Sequence, residues 1–117
     1  MTAMDPRPLT TREREVLEAL LSVDFPGADN LRRQANEVLV VGKCSCGCPS
    51  VDFQRGRGLG MTIRVNAGLP DSYDGLFLYT VEDPDLGEIL GGIEWVSASE
   101  TNPDELPEPY LLSVEPA

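Results

Sequence analysis

The apolar period of this chain changes once, near Glu37, and that change limits the fold more than any other feature. Ahead of it the period is helical. Thr10 followed by Glu13 is a capping box, in which each side chain satisfies a backbone N–H of the other residue. Val16, Leu17, Leu20 and Leu21 then repeat on one side, so residues 10–21 read as a helix. Pro26 and Gly27 break the pattern, and residues 28–37 read as a second helix with Ala28, Leu31 and Ala35 on one side. Beyond Glu37 the period is two. Residues 38–43 are a β-branched run, Val51 and Phe53 alternate with Asp52 and Gln54, and Met61, Ile63 and Val65 alternate with Thr62 and Arg64. Residues 76–81 and 89–97 are further strands, the second carrying Trp95. Between them Asp83-Pro84-Asp85 makes a turn, with Gly87 available for positive φ. Residues 101–109 are rich in proline and acid and read as irregular, and Tyr110, Leu112 and Val114 add a short edge strand. Strands with no helices between them pair antiparallel. The expectation is an α+β fold, with two N-terminal helices packed on a mainly antiparallel sheet of five or six short strands. A chain of 117 residues suits a single core, so residues 1–117 are read as one domain, with 1–9 and 115–117 as unordered ends.

Charge is divided as sharply as period. All nine basic residues lie at or before Arg64, whereas residues 66–117 hold twelve acids and no base. The net charge of −11 repels phosphate backbones, which argues against nucleic acid as a partner. The same field draws in a basic protein. A second use of the asymmetry is self-association, the basic half of one chain meeting the acidic half of another. No apolar run approaches the ~20 residues that cross a bilayer, and residues 1–11 hold no apolar stretch of a signal sequence, so the chain reads as cytoplasmic and not membrane-bound. Histidine is absent, which removes Ser-His-Asp and Cys-His catalysis and histidine-ligated zinc chemistry.

The most unusual segment is Lys43-Cys44-Ser45-Cys46-Gly47-Cys48-Pro49-Ser50, between two expected strands. Thiols at this density suit zinc or a redox site. A closed zinc site wants four ligands, so Cys44, Cys46 and Cys48 need a fourth, for which Asp52 is the nearest candidate. Against this stands a hairpin turn whose small cysteines pack as hydrophobes. The leading expectation is a chain without a cofactor, with zinc as the alternative. The loop of residues 54–60 holds Arg55 and Arg57 among three glycines, yet a strand follows it rather than the helix that phosphate loops need. Asp83, Asp85 and Glu88 lack the spacing of a calcium loop and read as a turn. Asp71 and Asp74 flank Tyr73 without further support for acid–base work.

The residues Leu9-Thr10-Thr11-Arg12-Glu13-Arg14-Glu15-Val16-Leu17 look like the opening helix of LuxR-type helix-turn-helix domains, but no recognition helix follows Phe25-Pro26-Gly27. The cysteine segment, the strand Gly92-Ile93-Glu94-Trp95 and the tail Glu105-Leu106-Pro107-Glu108-Pro109 together resemble a group of short actinobacterial proteins, a resemblance that implies no activity. The residues themselves favour a non-enzymatic protein-binding module, such as an immunity or inhibitor protein for a basic partner. Its docking surface is expected at Glu82, Glu88 and Glu94 on the solvent side of one hairpin, extended by Asp104, Glu105 and Glu108, with Trp95 or Tyr110 as the aromatic anchor. The alternative is a metal- or thiol-dependent protein centred on Cys44, Cys46 and Cys48.

Overall fold

The capping box forms as the sequence requires. Thr10 Oγ1 accepts from the Glu13 N–H at 3.1 Å, and the Thr10 N–H donates to Glu13 Oε1 at 2.9 Å. Helix α1 (Thr11–Leu20) follows and buries Val16, Leu17 and Leu20. Helix α2 (Ala28–Ala35) buries Ala28, Leu31 and Ala35. The computed structural model describes residues 2–43, 48–54, 61–70, 73–97 and 103–117. Among them no helix is long and apolar enough to cross a membrane.

Among the described residues seven strands form one sheet, β1 (Thr2–Arg7), β2 (Val40–Lys43), β3 (Val51–Asp52), β4 (Thr62–Gly68), β5 (Gly75–Asp83), β6 (Gly87–Val96) and β7 (Ser113–Pro116). Their order is β1-β2-β3-β6-β5-β4-β7, and every pairing is antiparallel. The fold is α+β, as expected. The expected strand count and the helices-first order need correction. A strand precedes α1 and pairs with β2, and the last strand runs to Pro116, so neither end is left outside the sheet. Residues 2–7 carry no period of two to read, and their pairing is tertiary. The open edge of β2 supplies the ladder, and Arg7 fastens the strand's end by a two-bonded ion pair to Glu13 at 2.9 Å. Pro116 sits on an edge strand, the place in a sheet where a missing N–H costs least.

The helices cover one face. Their apolar residues merge with Val51, Val65, Leu78, Leu90, Ile93 and Trp95 into the main core. Tyr79, Val81 and Ile89 form a smaller cluster on the opposite face. The sheet is two blocks, β1-β2-β3 and β6-β5-β4-β7, which among the described strands are joined by the pairing of β3 with β6, Val51 opposite Ile93 and Asp52 opposite Gly92.

A bulge lies beside that seam. Tyr79 faces Gly92 while Thr80 faces Leu90, so Gly91 is an extra residue in β6. A side chain at Gly91 would place its Cβ 2.5 Å from the Tyr79 ring, and at Gly92 2.5 Å from the Val51 carbonyl oxygen. The two glycines let Tyr79 lie against the backbone of β6 and donate its hydroxyl to Asp52 Oδ1 at 2.6 Å. Both residues are buried.

Beyond Phe53, whose N–H donates to the Gly91 carbonyl, no strand among the described residues covers the edge of β6. The Gln34 amide takes that place: Nε2 donates to the Glu88 carbonyl at 3.0 Å and Oε1 accepts from the Leu90 N–H at 2.9 Å. A helix side chain thus satisfies two strand groups. We expect Gly91→Ala to cost about 1–3 kcal/mol in urea unfolding, because the Tyr79 ring cannot retreat from a packed interior. The cost should shrink when Tyr79 is already leucine. An equal cost in both backgrounds would contradict the close approach.

Candidate functional site

Two concave surfaces among the described residues border the sheet. The first is a groove of about 520 Å³ where β3 stops. Helix α2 contributes Asn30 and Gln34, the chain into β2 contributes Glu37, Val38 and Leu39, and the β5–β6 turn contributes Asp83 and Leu86. Pro6, Val41, Phe53 and Ile89 are its apolar residues from the sheet side. The turn is built as its sequence requires. Asp83 Oδ1 accepts from the N–H groups of Asp85 and Leu86, and Gly87 takes a φ of 80°. The turn holds Leu86 72% exposed, and Leu39 across the groove is 43% exposed.

The second surface is a polar pocket of about 430 Å³ at the start of α1. Arg7 and Glu13 line it, with Lys43 and Arg12 nearby. Arg12 holds the acidic tail against the helix. Its guanidinium donates to the Leu106 carbonyl at 2.9 Å and to Glu108 at 2.7 Å, and lies 3.5 Å from Glu105. Leu106 enters the main core beneath it. Burial pushes the Glu13 carboxyl up, but hydrogen bonds from Arg7 and the Thr10 N–H, with the charges of Arg7 and Lys43, outweigh it and hold the group below its ordinary value.

The acidic residues singled out in the sequence do not share one face. Glu82 and Glu88 stand opposite each other, whereas Glu94 stands opposite Phe77. The bulge at Gly91 reverses the alternation between them, which places Glu94 with Phe77 and Tyr79 on the face away from the helices. Glu82 is exposed, but Glu88 is half-buried and accepts from Arg64 Nε and from Thr80 Oγ1 at 2.7 Å. Trp95 is no surface anchor: it is 8% exposed, packs in the main core, and donates its backbone N–H to Ser50 Oγ at 2.8 Å. Tyr110 is exposed, in a single 3-10 turn (Pro109–Leu111). Asp104 and Glu105 are exposed, and Glu105 and Glu108 are drawn to Arg12.

The cysteine segment joins β2 to β3, which pair directly through Lys43 and Val51. Cys44 and Cys46 lie outside the described residues, as do Arg55, Arg57 and Asp71. Cys48 is buried in the main core, its thiol 3.3 Å from Ser50 Oγ. Asp52 Oδ1 accepts from the Tyr79 hydroxyl, whereas Cys48 packs in the main core. Among the described residues no group of three or more potential metal ligands is gathered.

Sequence reasoning missed the groove and the buried Leu106. A leucine beside the glycine of a solvent-facing turn was the available signal for the groove, since an apolar residue there gains nothing from water. Comparison with family models, with curated proteins and with solved structures gave no match.

The Glu13 clamp has a definite pH dependence. A carboxyl held below its unfolded value stabilises the fold fully above the ordinary glutamate range, and that contribution is lost as pH falls through the lowered value. Glu13→Gln should therefore cost about 1–3 kcal/mol at neutral pH, and progressively less below pH ~4, read from urea midpoints. A deficit that stays constant with pH would show that the charge contributes nothing.

Proposed function

We propose that this chain is a non-enzymatic protein-binding module that captures a basic protein, in the manner of an immunity or inhibitor protein. The observation that supports it is the use the fold makes of its cations. Arg7 is tied to Glu13, Arg12 to Glu108, Arg32 to Asp24 and Asp29, and Arg64 to Glu88. These arginines are neutralised within the chain. Glu37, Glu82, Asp85, Asp104 and Glu115 are left exposed, with no ion pair among the described residues. These unpaired carboxylates, in a chain of net charge −11, give the surface an excess of negative potential.

Such a field raises the encounter rate with a positive surface and leaves the dissociation rate to packed contacts. The protein captured from the cells that make this chain should be basic, and its association should slow as salt rises while its dissociation changes little. Asp85→Lys and Asp104→Lys together should slow association without moving the urea midpoint, since both residues are exposed. An acidic partner, or an association rate indifferent to salt, overturns the proposal.

A further inference from the structure

We infer that the groove between α2, the chain into β2 and the β5–β6 turn is where the partner docks, and that it takes a short protein segment with leucine-sized side chains set between lysines or arginines. This inference rests on the reading of the chain as a binder of basic proteins and names the surface and the chemistry of the segment.

Size is the first support. About 520 Å³ falls within the roughly 300–1,000 Å³ of clefts that enclose a ligand. The second is the division of polarity. Val41, Phe53 and Ile89 line it as apolar surface, and Leu39 and Leu86 stand exposed beside them. The polar groups of Gln34 are already bonded to the edge of β6, so the wall next to the apolar residues offers burial rather than unmet hydrogen bonds. The third is charge. Glu37 and Asp83 line the groove, and among the described residues no lysine or arginine does. A segment with a negative charge meets repulsion there, and a purely apolar one leaves the carboxylates without a counter-charge.

Rigidity supports the same conclusion. Leu86 is not on a loose tip: the Asp83 carboxylate fixes two N–H groups of its turn, and paired strands run from both ends of it. An exposed leucine held in place loses little entropy when a partner covers it, so more of its burial appears as affinity.

Fluorescence anisotropy with three labelled peptides of equal length tests the inference on the full chain. One alternates lysines with leucines, one replaces the leucines with serine, and one keeps the leucines but replaces the lysines with glutamate. The lysine–leucine peptide should bind, the lysine–serine peptide at least about tenfold more weakly, and the glutamate–leucine peptide not measurably. Leu39→Ser and Leu86→Ser should each weaken the lysine–leucine peptide by roughly tenfold, with the lysine–serine peptide and the urea midpoint unchanged. Equal, salt-sensitive binding of both cationic peptides, untouched by the leucine variants, overturns the groove and leaves the acidic-surface reading standing. Failure of both cationic peptides to bind, or binding indifferent to salt, overturns that reading too. Tight binding of the glutamate–leucine peptide overturns the chemistry assigned to the segment. Sedimentation showing a dimer that Leu86→Ser dissociates would give the groove to a second copy and overturn the inference.

Discussion

Tyr79 holds the sheet together at its narrowest point. Its ring lies against Gly91 and Gly92 of β6, and its hydroxyl reaches Asp52 of β3, so one side chain spans three strands. The place matters because, among the described strands, the two blocks of the sheet are joined through β3, which is two residues long. Two ladder residues are a weak junction by themselves. The buried hydroxyl–carboxylate bond, the Phe53 N–H on the Gly91 carbonyl and the Ser50 hydroxyl under the Trp95 N–H add bonds across it from both sides.

The same seam shapes the surface. The bulge that makes room for Tyr79 turns Ile89 away from the main core and toward the groove. The shortness of β3 leaves an edge of β6 for the Gln34 amide, which brings α2 over the end of the β5–β6 hairpin. The groove is therefore a product of how the junction is solved: a short strand on one side, a helix standing in for its continuation, and a hairpin extending past both.

Sequence reading succeeded where the cause is local. The capping box, both helices, the Asp83 turn with its left-handed Gly87 and most strands depend on neighbours within a few positions. It failed where partners are distant. Residues 2–7 become a strand because β2 has an open edge, and Leu106 enters the core because Arg12, far away in sequence, draws in the acidic tail. The acidic face failed for one reason that the sequence does display. Strict alternation across 82–94 takes no account of Gly91-Gly92, and glycine inside a strand marks a bulge or a close approach. With the bulge counted, Glu88 turns toward α2 and Arg64, and Glu94 toward the other face.

Charge shows how the two halves of the chain come together. The bases precede residue 65 and twelve of the twenty acids follow it, yet Arg12 meets Glu105 and Glu108, and Arg64 meets Glu88. Complementarity that would serve to join two chains is partly satisfied within one. What it leaves over is unbalanced, since twenty acids face nine bases. That remainder acts at distances within a Debye length and chooses which surfaces approach. Apolar contacts act only on touching, and they decide how long an encounter lasts. The exposed carboxylates and the groove beside Leu39 and Leu86 divide those two tasks, and the Asp83 turn joins them, because one carboxylate lines the groove and holds Leu86 in place.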